Sequence, residues 1–346
     1  MKNRDTAIDQ IKGILIILVV LGHALQYGYG LEYLESKQYY YHPLFQGIYS
    51  FHMPLFSLIS GYFFYSSAKK PLGKVFMRKA RQLLVPTISF CSLLFVIDIV
   101  SKVLKSHTAP SIGDLLTRYY FYINLNGWSM WFLKSMFLCS VIIILLLICT
   151  GRNEKLCACL LTILVGSSFF CPDSYVLSAH KFMLPFFALG YYLNRAGVSL
   201  TQPLYGSVEI LSMSVLSICL LYFYDRHSFI YSGFGGGKIV LNVYRIVTGL
   251  IVSRVVCLAI TLFIERLPVV IKENLALLGK ETLGIYGFQS IAYVILMKSY
   301  SLSSISFSSR NLIVAIAIAF VVLLLSHCFF WAAEHSKTLS KLLLGR

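Results

Sequence analysis

Charge is the scarcest property of this sequence. Only 13% of its 346 residues are charged, 58% are hydrophobic, and the mean hydropathy is +0.75. That balance excludes an ordinary soluble domain and indicates a polytopic membrane protein. Acidic residues are scarcest of all, 14 against 30 Lys and Arg, for a net charge of +16. Such a charge can signal nucleic acid. No arginine-rich arm or aromatic-interleaved basic patch stands apart from an apolar run, so no nucleic-acid partner is expected. The basic residues lie instead in short loops between apolar stretches, as the positive-inside rule requires.

Other absences narrow the reading. The nine cysteines are scattered, mostly within apolar runs. Cys157 and Cys159 form a lone C-x-C with no second pair or nearby His, so no metal is expected, and the cysteines read as small packing residues. No small-x-small cleavage site follows the first apolar run, which therefore reads as an uncleaved span. The glycines Gly233, Gly235, Gly236 and Gly237 neither follow a strand nor precede Lys-Ser/Thr. They exclude a Walker or Rossmann loop and suggest a gate or turn beside the substrate. No internal repeat and no appended soluble domain are visible.

What the sequence does have is apolar segments. A helix needs about 20 apolar residues to cross the hydrocarbon core. Ten segments approach this: Ile11–Tyr27, Ile48–Tyr65, Leu83–Leu104, Trp128–Thr150, Leu156–Phe170, Phe182–Leu193, Val208–Tyr224, Ile239–Ile264, Leu283–Leu296 and Leu312–Ala333. The fifth, sixth and ninth are short, as tilted, broken or re-entrant helices would be. With the N-terminus inside, eighteen Lys and Arg fall on the inner side and nine on the outer. Lys134, Arg245 and Arg254 lie within spans. The expected fold is an all-α transmembrane bundle of about ten spans, one domain over residues 1–346, with both termini cytoplasmic.

The chain is organised around its first span, DQIKGILIILVVLGHALQY from Asp9 to Tyr27. His23 follows Lys12 by eleven residues, almost three helical turns, so both share a face roughly 16 Å apart along the axis. Asp9 is one turn below Lys12. An ionisable side chain inside a span is costly and marks a functional-site candidate; the plain alternative is a His hydrogen-bonded to a neighbouring helix. A second intramembrane His, His52, shares a face with Phe56 and Ser60 in the second span. Pro54 there frees a backbone carbonyl, and Ser60-Gly61 is a small pair that permits close helix approach.

The inner loop Ala68–Gln82 carries six basic residues in fifteen. It anchors the topology, and it can also cradle an anionic cytoplasmic ligand. Arg78 and Arg81, one turn apart, are placed to clamp a phosphate. Elsewhere the polarity is sparse. Asp98 in the third span needs a partner, with Lys134 and Arg245 as candidates, while Arg254 is placed to meet a cytoplasmic ligand. The stretch Ser106–Gly127 reads as a polar, aromatic outer loop, and Trp128 and Trp131 as interface anchors. The tyrosines Tyr29, Tyr33, Tyr39, Tyr40 and Tyr41 of the first outer loop suit an interfacial belt, and can also stack on sugar rings. Thr282 reads as a helix N-cap, Tyr286 and Gln289 turn polar atoms inward, and the basic tail Lys337–Arg346 needs no special role.

Several of these features together resemble the membrane acyltransferase-3 family. Asp9-x-x-Lys12-Gly13 with His23 matches its basic-x10-His signature, FHMPLFSLISGYFF its second, and Arg78-x-x-Arg81 before LLVP its R-x-x-R motif. Trp131-Phe132-Leu133 and LGKETLGIY add weaker matches. The resemblance covers residues 7 to about 333 and is nearest the fucose-4-O-acetylase-like subgroup. Many members have Arg where Lys12 stands, and Lys loses bidentate phosphate binding. Many have His near Gln289, so Gln289 is given no proton-transfer role. The esterase-like domain frequent in the family is absent.

The resemblance implies O-acylation of cell-envelope carbohydrate. The donor would be cytoplasmic acyl-CoA, usually acetyl-CoA, and the acceptor an extracytoplasmic glycan or lipid-linked sugar, within membrane lipid. On that reading Lys12, Arg78 and Arg81 meet the coenzyme A phosphates. His23 is the general base or a transient acyl carrier, with His52 as a second catalytic candidate. Asp9, Ser60, Trp131 and Arg245 are placed at the substrate. Two other classes remain open: a transporter or flippase using Asp98, Arg245 and the histidines as a proton relay, and a structural or sensory protein whose polar residues only pack helices.

Overall fold

The computed structural model describes residues 5–27, 42–106, 110–124, 130–170, 177–223, 239–298 and 312–346. Among these the chain is helical throughout, with no strand. The helices are α1 (Thr6–Tyr27), α2 (Pro43–Ala68), α3 (Leu72–Lys79), a π-helical turn (Ala80–Leu84), α4 (Val85–Ser106), α5 (Ile112–Asn124), α6 (Trp131–Cys149) and α7 (Glu154–Ser168). There follow α8 (Ser178–Arg195), α9 (Ser207–Tyr222), α10 (Ile239–Glu265), α11 (Val269–Lys298), α12 (Leu312–Glu334) and α13 (Lys337–Leu344).

Among the described residues, each of the ten apolar segments falls largely on a helix. By length and composition, five helical stretches suffice to cross a membrane: Thr6–Gln26, Leu72–Ser106, Trp131–Cys149, Ile239–Glu265 and Leu312–Glu334. The ninth segment is not a short helix. It is the second half of α11, a continuous helix of 30 residues. Thr282 therefore lies in mid-helix and is not an N-cap. The stretch read as an outer loop contains α5. Ser111 caps its start: its Oγ accepts from the Asp114 amide at 3.2 Å and donates to the Asp114 carboxylate at 2.7 Å. The tyrosines 29–41, Trp128 and the glycine run 233–237 lie outside the described residues.

The chain divides into two compact units. The first comprises Met1–Leu15, Gln46–Ala80 and Lys134–Lys280. Within it, α2 and α8 meet at glycines. A Cβ on Gly61 would fall on the Phe187 carbonyl, and one on Gly190 on the Leu58 carbonyl. Hydrogen bonds from Ser57 Oγ to the Met183 carbonyl (3.0 Å) and from Asn194 Nδ2 to the Tyr62 carbonyl (2.7 Å) join the same helices. Small residues let backbones approach where lipid supplies no hydrophobic drive between helices, as expected for Gly61. The start of α1 packs on the start of α11 in the same way, through Gly13 against Leu275 and Gly279 against Asp9. Gln10 Nε2 donates to the Lys272 carbonyl at 3.3 Å.

The second unit comprises Ile16–Phe45, Arg81–Leu133 and Glu281–Arg346. Its core is aromatic. The Phe90 ring sits against Gly287 and edge-on to Phe288 (5.3 Å between centroids), which stacks on Phe329. Glu281 on α11 is bonded to His327 Nδ1 on α12 at 2.6 Å. The C-terminal tail has a definite place here: α13 packs on α4 and α12, burying Leu343 and Leu344. Arg346 pairs with Glu334 and lies over the Phe330 ring.

Candidate functional site

Asp5 caps α1 by accepting from the Ile8 amide at 3.2 Å, which fixes the frame of the first helix. One turn in, Asp9 is buried and accepts from Lys12 Nζ at 3.1 Å. The i, i+3 spacing brings the two together, so Asp9 serves the ammonium group directly. Lys12 is half-buried and remains partly accessible.

His23, near the end of the same helix, is partly accessible on a helix whose flanking residues Gly22, Ala24 and Leu25 are buried. In the second unit it meets α11. The Tyr293 ring stands edge-on to the imidazole, 6.3 Å between centroids, and the Tyr293 hydroxyl donates to the Val20 carbonyl at 2.8 Å. The amide of Gln289, one turn before Tyr293, lies beside the His23 ring. Gln289 is completely buried, and neither of its amide atoms makes a hydrogen bond of good geometry. Tyr286 is buried on the same helix, near Phe132.

His52 is 1% exposed. Its Nδ1 lies 2.7 Å from the Ile48 carbonyl, which can only accept, so Nδ1 carries the proton. The Tyr49 ring contacts it edge-on at 4.6 Å. Ser60 Oγ donates to the Phe56 carbonyl of its own helix at 2.7 Å, while Ser57 makes the bond to α8. Trp131 opens α6, half-buried against Phe132.

Arg78 lies in the last turn of α3 and is half-buried; Arg81 falls in the π-helical turn and is exposed. A π turn holds more residues than an α turn, so the pair is rotated from the regular i, i+3 stagger, and such turns recur at functional sites. Behind Arg81 the chain terminus closes in. Gly345, with φ +66°, caps α13 against the backbone of Arg81 and Gln82, and a Cβ there would stand 2.6 Å from the Arg81 carbonyl oxygen.

Further partnerships lie elsewhere in the helices. Asp98 pairs with Lys102, one turn along α4, at 2.8 Å. Arg254 is engaged within the protein. Its Nε donates to Glu209 at 2.8 Å, and its two terminal nitrogens donate to the Leu200 and Gln202 carbonyls at 2.8 Å each. It is a structural clamp on the segment between α8 and α9. Arg245 is 5% exposed on α10, with Asn242 and Thr248, both fully buried, one turn to either side. The three form a buried polar stripe at a 3-residue period, of which the sequence reading singled out Arg245.

A serine–histidine pair was also missed. Ser135 Oγ and His180 Nδ1 are 2.6 Å apart. Ser135 is completely buried, and the pair ties α6 to α8. Among the described residues no three His, Cys, Asp or Glu side chains gather as a metal site.

Comparison with known proteins gives the setting for this geometry. Two curated relatives are similar, both described as "Nodulation protein NolL". The one from Mesorhizobium japonicum is 33% identical over 55% of this chain and 48% of its own. The one from Sinorhizobium fredii is 30% identical over 64% of this chain and 58% of its own. The chain thus spans about half the length of the curated relatives it matches. No solved structure matches it. The model of the acyltransferase-3 family, described as an acyltransferase domain, matches residues 5–331, nearly end to end, and the chain belongs to that family of membrane acyltransferases.

Proposed function

We propose that this protein is an O-acyltransferase of the bacterial plasma membrane. It moves an acetyl or other short acyl group from cytoplasmic acyl-CoA to a hydroxyl of a cell-envelope glycan or lipid-linked sugar. Both termini lie in the cytoplasm, and the whole chain works as one acyltransferase domain. The observation that carries the reading is His23: a partly accessible imidazole set among buried residues, in a chain of this family, on the helix that begins with the Asp9–Lys12 pair.

In this reading Lys12, Arg78 and Arg81 bind the phosphates of coenzyme A, and Asp9 holds Lys12 in place. His23 takes the proton from the acceptor hydroxyl as its oxygen attacks the thioester carbonyl carbon. The carbon–sulfur bond then breaks, and the coenzyme A thiolate recovers the proton from the imidazolium. In the variant with a covalent intermediate, the imidazole nitrogen attacks first and passes the acyl group on. Arg245, Ser60, Trp131 and His52 serve the acceptor.

Membranes holding wild-type protein or His23→Ala at equal abundance are supplied with radiolabelled acetyl-CoA, and label in envelope glycan is counted. Label with wild type alone is expected. Undiminished label with His23→Ala would rule out both roles of His23, and transport of an acylated sugar without coenzyme A would favour a flippase.

A further inference from the structure

Three observations meet at Gln289. Its amide lies beside the His23 ring. It is completely buried, yet neither amide atom has a hydrogen bond of good geometry. And Tyr293, one turn along the same face of α11, is fastened to the Val20 carbonyl three residues before His23, with its ring against the imidazole. The two helices are thus tied beside the His23–Gln289 pair, within one unit of the fold. A glutamine that merely joined helices would have its amide bonded to a neighbouring backbone or side chain. This one keeps donor and acceptor capacity buried next to an imidazole, and leaving both unused is costly.

We infer that Gln289 is a positioning residue for His23: its side-chain oxygen accepts the N–H of one imidazole nitrogen, holding the ring so that the other nitrogen, unprotonated, meets the acceptor hydroxyl. A neutral amide suits this task. It selects one tautomer, as a base must have, without the negative charge that would favour the imidazolium before reaction. The role rests on the assignment of His23 as base or acyl carrier, but its structural part stands apart from activity and can be tested apart from it.

The test uses the full chain in lipid nanodiscs with 15N-labelled histidine. The His23 ring signals are those lost in His23→Gln. Their 15N shifts report which nitrogen carries the proton. Wild type is expected to show one dominant tautomer, Gln289→Leu a mixture, and Gln289→Glu, which keeps the acceptor oxygen, one dominant tautomer again. In acyl transfer from labelled acetyl-CoA, Gln289→Leu is expected to lower kcat about 100-fold with KM for acetyl-CoA within about 3-fold. The same tautomer ratio in wild type and Gln289→Leu would overturn the inference. If wild type shows no transfer at all, the proposed reaction fails, while the tautomer measurement still decides the role of Gln289. A Gln289→Leu protein with a wild-type elution profile and melting point shows that a changed tautomer is not a folding defect.

Discussion

Replacing Gly279 by Ala tests how tightly the first helix is held. In an exposed helix the change would stabilise by about 1 kcal/mol, because Gly is a poor helix former. At this site a Cβ would fall on the Asp9 carbonyl and stand 2.6 Å from its carbonyl carbon. Carbon atoms rest about 3.5 Å apart, so α1 and α11 must separate by about 1 Å. Overpacking of this kind costs about 1–3 kcal/mol, more than the propensity gain. The shift also weakens the hydrogen bond from Gln10 to the Lys272 carbonyl, which spans the same contact. Asp9 moves with its backbone and carries Lys12 with it, and a 1 Å misplacement near reacting groups can cost about 100-fold in rate. The assay is acyl transfer from labelled acetyl-CoA at equal protein abundance, with a thermal melt in detergent. Gly47→Ala is the control, since a Cβ there meets nothing within 4 Å. Gly279→Ala is expected to melt lower and transfer far more slowly. If it matches Gly47→Ala in both measurements, the close contact between the two helices is not present.

Glu209→Gln should destabilise the protein by about 3 kcal/mol, since it leaves the Arg254 guanidinium without its buried carboxylate, whereas Asp98→Asn, which breaks a pair with a half-exposed lysine, should cost under about 1 kcal/mol; melting curves compare them. Gly345→Ala forces a side chain into a left-handed conformation at a cost of about 1–2 kcal/mol and presses on the Arg81 backbone, so it should raise KM for acetyl-CoA several-fold while leaving kcat nearly unchanged. Ser135→Ala should lower the melting point modestly and leave acyl transfer within about 3-fold, because it removes one hydrogen bond to His180; abolished transfer would mean that the pair does chemistry.

The helical segments were legible because the information is local. Apolar runs of span length, bounded by basic loops, fix where helices form whatever surrounds them. The Asp9–Lys12 pair was legible for the same reason, since three residues on a helix set that distance. The start of α5 is equally local, a Ser111 cap three residues before Asp114, within a stretch whose polar and aromatic residues read as a loop.

Partnerships between segments were not legible. Nothing near Arg254 in the chain announces that Glu209 and two carbonyls around residue 200 will take its guanidinium. Nothing near Gln289 announces that its amide will stand beside His23, on the first helix of the chain. The basic tail, which needs no special role by its sequence, folds onto the backbone at Arg81, because a left-handed glycine at position 345 lets two backbones touch. Sequence alone determined which residues are costly to place in a membrane, since that cost belongs to the side chain. Only the tertiary structure decided which partner offsets each cost, because hydrogen bonds and close backbone contacts depend on distances of a few tenths of an ångström between segments that the chain order leaves open.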